Sequence, residues 1–128
     1  MFFGFILSFE GIKNFKKLRI WENGFQIAID CYKMIEVFPK EERYSLSSQI
    51  IRAAVSIPSD ITEGSSRSSE KDQARFIEIS LGSAFELHTQ VLIAKSLNFG
   101  EPVLRSKLLE NLEIEQRMLH TYLSRLKD

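Results

Sequence analysis

Residues Gln49–Phe76 read QIIRAAVSIPSDITEGSSRSSEKDQARF, and this run decides the fold. Leu46, just ahead of it, and Ile50, Ala53, Ala54, Ile57 and Ile61 recur every three or four positions, which places them on one helical face. Pro58 falls inside the pattern. It removes one backbone N–H, yet the apolar period continues to Ile61, so the spacing predicts a kinked helix rather than two. Ser56 and Ser59 flank the kink and are expected to satisfy freed backbone groups. Gly64 is expected just past the helix end, where a left-handed residue closes the last turn. A polar loop then runs from Ser65 to Ser69. Ser69, three residues before Asp72, is expected to cap a further helix.

Working outward, helices are expected over about Phe15–Phe38, Glu42 or Leu46 to Gly64, Glu70–Leu97, and from Pro102 onward. Pro39 closes the first, Asn98 and Gly100 close the third, and Pro102 suits a first helical turn. The first helix carries two apolar stripes. Leu18, Trp21, Phe25, Ala28, Tyr32 and Ile35 form one, and Ile20, Gly24, Ile27, Cys31, Met34 and Phe38 form the other. One stripe suffices to pack a helix inside a bundle. The second therefore predicts a subunit contact, assigned to Ile20, Ile27, Cys31, Met34 and Phe38. On the third helix Ile77, Leu81, Ala84, His88 and Val91 share a face, with small Gly82 and Ser83 in mid-helix. On the fourth, Leu108, Leu112, Leu119, Tyr122 and Leu126 do so, with Glu115 interrupting. No strand pattern appears. Four helices on short connections predict an all-α, antiparallel up-down-up-down bundle over residues 15–128.

The 128-residue length suits one domain. Lys plus Arg equals Asp plus Glu at 17 each, giving zero formal charge, and this weighs against a phosphate-gripping surface spread over the whole molecule. The single cysteine, Cys31, excludes an internal disulfide framework and a cysteine-rich zinc site and fits a reducing cytoplasm. Residues 1–14 are expected to be an N-terminal extension. Its start, MFFGFILSF, lacks a signal peptide's basic region and cleavage site and is too short to span a bilayer. Three readings compete, in this order: a disordered tail added by an upstream start codon, packing on the bundle or a partner, and membrane association. No membrane partner is expected.

The segment Arg52-Ala53-Ala54-Val55-Ser56-Ile57-Pro58-Ser59, followed by Glu63-Gly64, Arg67, Phe76, Gly82-Ser83 and Glu86-Leu87, resembles the signature of the four-helix bundle family encoded by intervening sequences in bacterial 23S ribosomal RNA genes. The resemblance covers about Phe15 to Leu97. Asp60 and Thr62 depart from it, standing where the family commonly shows Asn and Ala. It implies a four-helix bundle, assembly into a ring-like homopentamer and no established enzymatic activity. A related accessory protein of diversity-generating retroelements, with the same architecture, binds nucleic acid and a reverse transcriptase. Family members commonly start near the stretch matching Ile12 to Trp21, which favours the disordered-tail reading of the extension.

No catalytic constellation or cofactor motif is visible. His88 and His120 lie on different helices without metal-ligand spacing, and Cys31 sits on an apolar stripe, as inert packing cysteines do. Glu63, Glu78 and Glu86 are expected to form buried ion pairs with Arg52, Arg67 or Arg75. A di-metal bundle core would need Glu-x-x-His pairs, which are absent. The clearest charged feature is Lys13, Lys16, Lys17 and Arg19, with Phe15 and Trp21 nearby for stacking. Two functions follow: an oligomeric protein that binds RNA or DNA through this cluster, or a protein-interaction scaffold without a nucleic acid role.

Overall fold

The computed structural model describes residues 14–127, in which four helices follow one another: α1 (Arg19–Ile35), α2 (Leu46–Ser65), α3 (Glu70–Ser96) and α4 (Pro102–Lys127). Short 3-10 turns at Phe15–Lys17 and Lys40–Glu42 precede α1 and α2, and no strand occurs among the described residues. Residue pairings fit the up-down-up-down order. Asn23 of α1 meets Glu115 of α4, while Asp30, two turns later, meets Lys107, two turns earlier. Ser80 of α3 reaches Ile57 of α2, and Phe76 approaches Gly64.

The core runs the length of the bundle. Ile27, Met34, Ile50, Ile57, Ile61, Leu87, Val91, Leu108, Leu112 and Leu119 are fully buried. Ile20, Ile27, Cys31, Met34 and Phe38 all lie inside this core at 7% exposure or less. The subunit contact assigned to them is therefore corrected, because the chain's own helices already cover that stripe. The other stripe of α1 is the open one, with Phe25 and Tyr32 about half exposed.

Helix ends moved where local chemistry decided them. Leu18 adopts an extended conformation (φ −73°, ψ 130°), so α1 begins at Arg19 rather than Phe15, and it ends at Ile35 rather than Phe38. Gly64 is not past the end of α2 but buried within it. A Cβ there would lie 3.1 Å from the Cβ of Phe76, so glycine is needed for the close approach of α2 and α3. Ser69 caps α3 as expected, its Oγ accepting the Asp72 N–H at 3.1 Å. Pro58 sits within a continuous α2. Ser56 donates to the Arg52 carbonyl, Thr62 to that of Pro58 and Ser80 to that of Ile57. The Ala54 carbonyl, which loses its helical partner to Pro58, receives none of these bonds, and Ser59 makes no side-chain hydrogen bond among the described residues.

Candidate nucleic-acid interface

The start of α1 and the second half of α4 lie side by side, and their cations face the same groove. Leu18, Arg19 and Ile20 line it from α1, and Arg117, Met118, Thr121, Tyr122 and Arg125 from α4. No carboxylate is among these residues. Arg117 and Arg125 are eight residues apart on one helical face, about 12 Å along the axis. Glu22 and Glu113 lie one turn from Arg19 and Arg117, yet no ion pair ties up any of the three guanidiniums among the described residues.

Lys16 and Lys17 are exposed on the 3-10 turn just before α1, and Arg19 is exposed in its first turn. Lys13 lies outside the described residues. The start of α1 has no side-chain cap, and while the Trp21 N–H donates to the Leu18 carbonyl, the Arg19 and Ile20 amides have no hydrogen-bond partner among the described residues. Open amides and the positive end of the helix dipole favour an anion. The floor between the cations is apolar or hydroxylic, from Leu18, Ile20, Met118, Tyr122 and Thr121. Near the same end, Phe15 packs edge-on against Trp21 with ring centres 5.4 Å apart. Cations over an apolar floor suit a phosphate strand with stacked bases.

Sequence reasoning finds Lys16, Lys17 and Arg19 but misses Arg117 and Arg125. Those two stand at i and i+8 on the polar side of α4. Only the α1–α4 contact, almost a hundred positions away in sequence, turns them into part of a site.

The remaining candidates do not converge. Glu63 pairs with Arg67 at 3.2 Å, but both side chains are about half exposed, which corrects the buried pairing expected for it. The carboxylates that do enter the bundle are Asp30 and Glu115. Asp30 accepts a hydrogen bond from Gln26 and faces Lys107 at 3.5 Å. Glu115 accepts from Asn23, and burial pushes its carboxyl up to about 8, the Asn23 bond opposing the shift. Cys31 is wholly buried, and burial, reinforced by Asp30, pushes its thiol up to about 12, far from a nucleophile's range. The His88 ring nitrogen Nδ1 is engaged by Gln116 Nε2 at 2.8 Å. Among the described residues no group of three metal-binding side chains converges, and no helix is long and apolar enough to cross a membrane.

A four-helix bundle with one carboxylate-free, arginine-lined groove at the α1–α4 end is the class of protein these features define. The model of the 23S rRNA-intervening sequence protein family matches residues 16–121. The chain belongs to that family, as its α2 signature implies. No curated protein matches the chain.

Proposed function

We propose that this protein is a non-enzymatic, oligomeric nucleic-acid-binding protein of the 23S rRNA intervening-sequence type. Its contact surface is the groove lined by Arg19, Arg117 and Arg125, continued by the exposed Lys16 and Lys17 on the turn just before α1. The observation that carries the reading is the meeting of Arg19, Arg117 and Arg125 around one groove without a carboxylate among its lining residues. Zero net charge is compatible with it, because a local group of cations attracts phosphate even on a molecule whose charges balance overall. Arg117 and Arg125 span roughly three to four nucleotides of a strand with one charge per ~3.4 Å. No catalytic step is assigned to the chain, and its single unpaired thiol supports a cytoplasmic setting.

Assembly, as a homopentamer by family resemblance, would place several copies of the groove on one particle and make a weak site multivalent. The outer side of α3 is the surface assigned to it. Ile79, Phe85, Leu92 and Ile93 are 44–55% exposed there, and nothing lies within 4 Å of a Cβ built on Gly82. An exposed glycine in mid-helix costs about 1 kcal/mol relative to alanine, and a close-packed neighbour offsets that.

Charge reversal at Lys16 and Lys17 tests the site. In a gel-shift titration with structured RNA and duplex DNA, the Lys16→Glu/Lys17→Glu variant is expected to lose binding while light scattering shows an unchanged particle mass. Undiminished binding would remove the assignment and leave the scaffold reading. Phe85→Glu is expected to lower the particle mass, and a mass equal to that of the unaltered chain would refute the α3 surface.

A further inference from the structure

Between α1 and α2 runs a second groove of different character. Trp21, Phe25, Ala28, Ile29 and Tyr32 line one side, and Val55, Pro58, Ser59 and Thr62 the other. None of these side chains is charged. Phe25, Ile29, Tyr32 and Val55 are 38–51% exposed, a contiguous apolar patch of the kind that marks an interaction surface.

The described chain begins beside this groove. Phe15 packs on Trp21, and Trp21 stacks on Phe25 with ring centres 5.0 Å apart, so a ladder of rings leads from the chain's first described residues into the groove. Ahead of Asn14 stands MFFGFILSFEGIK, whose residues 2–9 carry six large apolar side chains at Phe2, Phe3, Phe5, Ile6, Leu7 and Phe9, with no charged side chain before Glu10. Thirteen residues reach at most about 45 Å. Tyr32, at the far end of the groove, is thirteen residues from Arg19, the first residue of α1, about 20 Å along the axis. The segment therefore has the reach to run the groove's whole length. Both surfaces are aromatic-rich and uncharged, so burying one against the other removes apolar area from water on each side without stranding a charge.

We propose that the α1–α2 groove is the docking site for this chain's own N-terminal arm, residues 2–9. The arm continues the Phe15–Trp21–Phe25 ladder and covers Phe25, Ile29, Tyr32 and Val55. The proposal uses the α1–α2 side and does not rest on the nucleic acid reading of the α1–α4 groove.

Trp21 is the chain's only tryptophan and lines the groove, so it reports directly. Deleting residues 2–9 is expected to move its emission to longer wavelength and raise its quenching by acrylamide. A synthetic peptide of residues 1–9 should reverse both. In the full chain, photoreactive benzoylphenylalanine in place of Phe5 is expected to crosslink, within one chain, to residues 21–32 or 55–62. The crosslink decides if the two readouts differ. Crosslinks confined to other regions, or no crosslink, overturn the proposal. A crosslinked dimer places a second copy's arm in the groove and overturns the within-chain assignment.

Discussion

Glu115 is the residue where the interior departs most from an oily core. It is fully buried, its Oε1 accepts from Asn23 at 3.1 Å, and its Oε2 has no partner among the described residues. A carboxyl in such a place takes up a proton on folding. Its ordinary value of 4.5 rises to about 8, so between those values the folded chain binds more protons than the unfolded one. Stability is therefore expected to fall as pH rises from about 4.5 to about 8, and this group adds no slope below that window. Glu115→Gln fixes the neutral state. Thermal melts should show it more stable than the unaltered chain at pH 8, converging with it near pH 4. A variant as pH-dependent as the parent would contradict the assignment. Gly24 exists because of the same contact. A Cβ there would meet Ile57 Cγ2 at 3.0 Å and Glu115 Oε2 at 3.1 Å, so Gly24→Ala is expected to cost about 1–3 kcal/mol in denaturant unfolding. In the sequence, Glu115 shows only as a break in an apolar stripe. Its partner Asn23 lies 92 positions away, so no local pattern could pair them.

At the scale of elements, termini and caps explain what was legible. The α3 N-cap followed from Ser69 alone, since its bond to Asp72 spans three residues. Ser69→Ala is expected to lower stability by about 1 kcal/mol, as read from the midpoint of denaturant unfolding. The end of α3 was legible from Asn98 and Gly100, and it closes as a Schellman turn. Asn98 takes a positive φ of 59°, its N–H donates to the Lys95 carbonyl, and the Phe99 N–H donates to that of Ala94. Gly100, at φ +85°, brings the backbone so near Met34 that a Cβ would lie 2.9 Å from its Cγ. Arg105 holds this turn by donating to the Phe99 and Gly100 carbonyls. Less legible was Glu101, whose carboxylate accepts the N–H groups of Val103 and Leu104 and is held below the usual range by them. Choosing between the two stripes of α1 also failed, for a definite reason. Periodicity says which residues share a face but not which face a neighbour covers. The small Gly24 and Ala28 let α1 approach the bundle, whereas bulky Phe25 and Tyr32 remain at its rim.

For the whole molecule, the bundle was readable because its helices are long, periodic and separated by short connections. The proposed interface was readable only in its first half, Arg19 of the groove and the neighbouring Lys16 and Lys17, because the second half comes from the far end of the chain. A site divided between α1 and α4 has a specific energetic signature. Neutralising each phosphate releases counterions, so binding must weaken with salt. Removing cations must flatten that dependence by roughly 0.7–0.9 in log–log slope for every phosphate left without its cation. The most direct test is a fluorescence anisotropy titration of a structured RNA at several salt concentrations, comparing the unaltered chain with Arg117→Glu/Arg125→Glu. The groove predicts tight, steeply salt-dependent binding that becomes weaker and less salt-dependent in the variant. No binding at low salt, or a variant with the parent's affinity and slope, would contradict a nucleic acid interface built from α1 and α4.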